Sequence, residues 1–128
     1  MFVHNLNSAQ QSALLYLARV VAKAGGNSDE LQTGMVEILK AQSNTDVEMK
    51  ETQISELSTL FSTEREKCSL LLELLGIVLA NKEYHHNERS LIAEYADVLG
   101  VSNTKLFELE NWVQRQLVLS QEAEVLLN

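Results

Sequence analysis

The chain has 128 residues, 45% of them apolar and 22% charged, with a formal net charge of −8. That size and balance suit one domain with its own core and exclude a disordered polypeptide. The negative charge excludes nonspecific binding to nucleic acid or to an anionic membrane surface, since no stripe of Lys and Arg is present to displace counterions.

There are no prolines and only five glycines, while Leu, Glu, Gln and Ala are abundant, so an all-helical fold is expected. Residues 1–7 read as a short irregular lead. Ser8 is placed to cap a first helix running to about Ala24, with Leu14, Leu17, Val21 and Ala24 on one face. Gly25-Gly26 ends it, and Asn27 or Ser28 caps a second helix whose stripe is Leu31, Met35, Ile38 and Leu39. Asp29 and Glu30 fall in its first turn, where exposed backbone N–H groups favour negative charge.

After a polar break at Gln42-Ser43-Asn44, Thr45 and Glu48 have the spacing of a reciprocal cap, which predicts a third helix over 46–61. Its stripe is Val47, Ile54, Leu57 and Phe61, joined by Met49, Leu60 or both. Ser62-Thr63 with Glu66 opens a fourth helix over 64–81, apolar on nearly every side and therefore central. Gly76 within it predicts close approach of a neighbouring helix. The run from Leu70 to Ala80 is interrupted by Glu73 and is too short to span a bilayer. A fifth helix over about 88–99 ends at Gly100. Ser102 caps a sixth, which starts near Asn103 or Thr104 and carries Leu106, Leu109, Val113 and Leu117, with Trp112 alongside. The tail from Ser120 reads as a further short helix whose Val125, Leu126 and Leu127 must pack back on the domain or into a partner, including a second copy in a homodimer.

A shift of 56 places Leu14-Leu15 on Leu70-Leu71, Val21 on Ile77, Ala24 on Ala80, Met35 on Leu91 and Val36 on Ile92. The expected architecture is thus a compact bundle of six to seven helices, duplicated around the central one, with halves at about 8–61 and 62–119 and a tail at 120–128. Each half carries a polar corner. The first runs from Ala24 to Gln32, and the second from Ala80 to Glu88.

The helix spacing, the second corner Ala80-Asn81-Lys82-Glu83-Tyr84-His85-His86-Asn87-Glu88 and the Leu99-Gly100-Val101-Ser102 bend resemble the TerB family, over about Leu14 to Val113. TerB is a small all-helical domain associated with tellurite resistance, and related domains precede membrane-linked J-domain co-chaperones. The family's corner typically reads Ala-Asp-Gly with a Glu seven positions after the Asp, and its acidic residues are thought able to hold a divalent cation. Carried onto this chain, the Asp positions are Asn81 and Gly25, the Gly positions are Lys82 and Gly26, and the Glu positions are Glu88 and Gln32. Of the four acidic positions only Glu88 keeps its type. The resemblance implies a cytoplasmic scaffold or adaptor in a stress- or envelope-linked response.

From the residues themselves, a cation site would draw on Asn81, Glu83, His85, His86 and Glu88, where carboxylate, imidazole and amide donors gather for Ca, Mg, Mn or Zn. The competing reading of these residues is a solvated corner with helix caps. Tyr84 projects from the same corner as a candidate contact residue, and Asp29 with Glu30 form an acidic counterpart in the first corner. Acidic outer faces also suit a basic peptide. No Ser, Cys or His grouping has the spacing of an activated nucleophile, and no glycine-rich phosphate cradle follows a strand, so no catalytic residue is assigned. Cys68 is the only cysteine, which excludes an intrachain disulfide, fits a reducing compartment, and reads as a small core residue. With no leader or spanning segment in view, a cytoplasmic location is expected. Three functions follow: a protein-interaction or scaffold domain needing no cofactor, a divalent-cation module at 81–88, and a small metal-dependent hydrolase.

Overall fold

The computed structural model describes residues 1–80 and 84–128, and in them the chain is an all-α bundle of six helices. These are α1 (Ser8–Ala24), α2 (Asp29–Gln42), a single turn α3 (Leu57–Leu60), α4 (Glu64–Ala80), α5 (His86–Leu99) and α6 (Asn103–Leu127). None is long and apolar enough to cross a membrane.

Residues 1–7 do more than lead in. Val3–Asn5 form a 3-10 turn, Val3 and Leu6 are buried, and the Gln11 carboxamide donates to both their carbonyls at 3.2 and 3.0 Å. The cap of α1 is Asn7 rather than Ser8. Its Oδ1 accepts the Gln10 N–H while the Gln10 Oε1 accepts the Asn7 N–H, both at 2.9 Å, so two otherwise orphaned donors are satisfied reciprocally. Gly26, with φ of 80°, turns the chain out of α1 in the left-handed region that other residues resist. Ser28 then caps α2.

The buried stripe of α2 is Gln32, Val36 and Leu39 instead of the expected Leu31, Met35, Ile38 and Leu39. Leu31 and Ile38 are 55% and 62% exposed. The reason is Gln32: its carboxamide donates to the Asn27 carbonyl at 2.8 Å, which lets a polar residue turn inward at the helix start and rotates the apolar face by about one residue.

The predicted helix over 46–61 is not formed. Glu48 does not cap Thr45 but pairs with Lys40 of α2 at 3.0 Å, and Asp46 takes a left-handed φ of 68°, which helix propagation forbids. Residues 47–53 instead lie along α1, held by a bond from the Lys50 N–H to the Ser12 carbonyl. Helical backbone resumes only as the turn Ile54–Glu56 and α3. Val47, Leu57 and Phe61 still reach the core from this irregular path.

Thr63 and Glu66 cap α4 reciprocally at 3.1 Å. Leu70, Leu71, Leu74, Leu75 and Val78 are fully buried, and the helix packs against α1, α5 and α6, which makes it the central element. No neighbour approaches Gly76, contrary to the expectation from its glycine: a Cβ built there meets nothing within 4 Å. Gly76→Ala is therefore expected to raise stability by about 1 kcal/mol, measured by urea denaturation, because it restores helix propensity without a clash.

The fifth helix starts two residues earlier than expected, at His86, and ends on left-handed Gly100 with the Val101 N–H bonded to the Ala96 carbonyl. Ser102 caps α6 at 3.1 Å. No separate tail helix follows. Nothing between Leu117 and Leu127 is Gly or Pro, and Ser120 satisfies its hydroxyl on the Gln116 carbonyl, so α6 runs unbroken for 25 residues.

The halves correspond in length: α1 and α4 each have 17 residues, and α2 and α5 each have 14. Burial repeats as well. The stripe Gln32, Val36 and Leu39 falls on Glu88, Ile92 and Tyr95 after a shift of 56, so each second helix begins with a buried polar residue.

Candidate functional site

Among the described residues the two corners meet at the Glu88 side chain. Glu88, in the first turn of α5, is only 1% exposed, and its Oε1 accepts the His85 N–H at 3.2 Å. Its other oxygen, Oε2, is buried and accepts no hydrogen bond among the described residues. This carboxylate lies against Gly25 of the first corner, where a Cβ would stand 2.5 Å from Oε2. Gly25 has an ordinary φ of −81°, so its lack of a side chain matters here for space and not for backbone freedom.

Burial pushes the Glu88 carboxyl above its ordinary value of 4.5, opposed by the His85 hydrogen bond and charge. A raised carboxyl pKa means that the folded chain holds its proton to higher pH than the unfolded chain does. The protonated site is most favourable at low pH, and stability is lost as pH rises from the ordinary value through the raised one. Glu88→Gln is expected to abolish that loss, so the variant gains on the wild type as pH rises from about 4.5 towards neutrality. Thermal melts across this range check it. Parallel curves for the two proteins would contradict it.

The remaining candidate residues are less gathered. His85 and His86 are exposed, and Asn81 and Glu83 lie outside the described residues. Among the described residues no three His, Cys, Asp or Glu side chains come together as metal ligands. Asp29 and Glu30 are exposed on the first turn of α2. Tyr84 folds down onto the body: it is half-buried, donates to Glu110 of α6 at 3.3 Å, and carries the Arg89 guanidinium 4.1 Å over its ring. Burial and then the Glu110 carboxylate hold its phenol well above the usual range. Burial and the Glu64 carboxylate likewise raise the half-buried Cys68 thiol, which disfavours its thiolate.

A wide concavity lies elsewhere among the described residues. An open groove of about 1150 Å³ runs along α6, with Phe2, Leu72, Trp112, Arg115, Val118 and Leu119 among its walls. The Phe2 ring meets Trp112 edge-on at 5.6 Å and is held there by its own N–H, which donates to Glu73 of α4. Beyond Leu117 every residue of α6 is exposed, and the apolar stripe continues through Val125 and Leu126 with no cover. The stripe crosses Ser120, so it belongs to one continuous helix and not to a separate tail. Its signal in the sequence is the recurrence of Trp112, Leu119 and Leu126 every seven residues.

No protein-family model, no curated protein and no solved structure matches this chain.

Proposed function

We propose that this chain is a non-enzymatic interaction domain that binds another protein chain through the outer face of α6. The observation that carries the reading is the uncovered apolar stripe from Trp112 to Leu126 beside the groove. Isolated globular domains rarely line up so many exposed apolar side chains along one helix without a use for them, and a large aromatic beside aliphatic anchors is what interface centres favour. A TerB-like relationship belongs to the same proposal, supported by the paired helix lengths and the burial pattern repeated at 56 residues. With it come a cytoplasmic setting and a scaffold or adaptor role in a stress- or envelope-linked response.

Immobilised wild-type chain is expected to retain a stoichiometric protein partner from native extract of its source cells, or further copies of itself. Leu119→Glu should lose that partner while keeping its helical circular dichroism, because Leu119 touches solvent more than core. A wild-type chain that retains nothing and does not self-associate overturns the reading.

The Oε2 of Glu88, buried and without a hydrogen bond among the described residues, favours one second reading, a divalent cation held at the second corner. Thermal shifts with Ca, Mg, Mn and Zn, before and after chelation, separate the two. A rise abolished by Glu88→Gln supports the cation module, and no rise with any ion removes it.

A further inference from the structure

We infer that the chain seated on α6 is a second copy of this protein, paired helix to helix in the antiparallel sense about a two-fold axis between Val118 and Leu119. The inference rests on the interaction reading and specifies its partner. Leu106, Leu109 and Val113 bind α6 to its own body, and the stripe of Val118, Leu119, Val125 and Leu126, with Trp112 at its edge against Phe2, lies largely on the other side of the helix. These five side chains leave on the order of 600 Å² of surface exposed per copy, most of the roughly 800 Å² that each member of a stable complex buries. Recurrence every seven residues is the repeat of helices that pack lengthwise.

The charges choose the direction. Along the middle of this stripe Glu108 and Glu122 stand seven residues to either side of Arg115. Pairing Arg115 with Glu108 would centre the axis near Trp112 and leave Val125 and Leu126 uncovered, so the pair that the stripe requires is Arg115 with Glu122. Neither Arg115 nor Glu122 makes an ion pair within the chain among the described residues, where Arg115 bonds only to the Asn111 carbonyl one turn back. Parallel pairing sets Arg115 on Arg115 and Glu122 on Glu122. Antiparallel pairing about the midpoint sets Arg115 of each copy against Glu122 of the other, twice, by the same symmetry operation. Glu124, two residues further, projects from nearly the opposite side of the helix and stays out of the seam. The same register brings the helix tip, with Val125 and Leu126, over the other copy's Trp112, where Phe2 and Leu72 floor the groove. Tip and groove are thus complementary features of one surface.

Sedimentation velocity on the full chain, from low micromolar to a few hundred micromolar, tests the inference. The wild type should pass from monomer to dimer. Arg115→Glu and Glu122→Arg, both at exposed positions, should each weaken the dimer by about tenfold or more, and the double variant should recover most of the loss. A wild type that stays monomeric overturns the self-pairing and leaves the interaction reading to its own capture experiment. A dimer whose single variants are additive in the double, with no recovery, overturns the antiparallel register.

Discussion

Gly25→Ala is expected to cost about 1–3 kcal/mol of folding stability, the range for forcing an extra carbon into a packed site. The added methyl would meet the Glu88 carboxylate at 2.5 Å, and that side chain is buried and tied to the His85 N–H, so it has little room to give. The cost belongs to the pair. In a Glu88→Ala background the same substitution should cost less than about 0.5 kcal/mol, because the backbone of Gly25 is already in a region open to alanine. Urea denaturation of the four proteins gives the coupling directly. Equal costs in the two backgrounds would mean that the corners do not touch as described.

Leu74→Ala should produce the largest single loss, about 2–5 kcal/mol, since it opens a cavity in the middle of α4 where neighbouring helices cannot collapse to fill it. Leu126→Ala, the same deletion on the uncovered end of α6, should change the stability of the monomer by no more than about 0.5 kcal/mol. The comparison, measured by chemical denaturation at low protein concentration, separates a core leucine from a surface one. A comparable loss at both positions would contradict the placement of the α6 end in solvent.

The sequence announces this fold wherever local chemistry decides the outcome. Thr63 with Glu66, Ser102, and Gly100 mark helix ends through bonds made within a few residues, and the Leu70–Val78 run is apolar enough to be central in any bundle. It misleads where a distant partner captures a residue that local rules assign elsewhere. Thr45 and Glu48 have capping spacing, yet Asp46 turns left-handed and Lys50 bonds to Ser12 of α1, so the helix expected over 46–61 shrinks to its final turns. Gln32 looks like a surface residue until the Asn27 carbonyl meets its carboxamide, and its burial turns α2 away from the Leu31–Ile38 face.

The candidate sites follow the same rule. Glu88 stood out among the acidic positions of the corners, but its contact with Gly25 joins residues 63 apart in the chain, and no periodicity encodes it. The outer stripe of α6 recurs every seven residues in the sequence, and an expected break at Ser120 conceals it. Serine is a poor helix breaker when its hydroxyl can bond back to the carbonyl one turn earlier, as Ser120 does to Gln116. The two features differ in kind. Glu88 closes one corner on the other, whereas the α6 stripe faces outward and beyond Leu117 no described residue covers it.

Amide hydrogen exchange on the wild-type chain tests that distinction most directly, comparing dilute protein with protein at high concentration or with its captured partner. Slowed exchange confined to α6, strongest from Trp112 to Leu127, is the predicted result, because an uncovered helix end opens readily and a seated one does not. Protection appearing instead around Tyr84 to Glu88, with α6 unchanged, would place the binding surface at the corner and contradict the account.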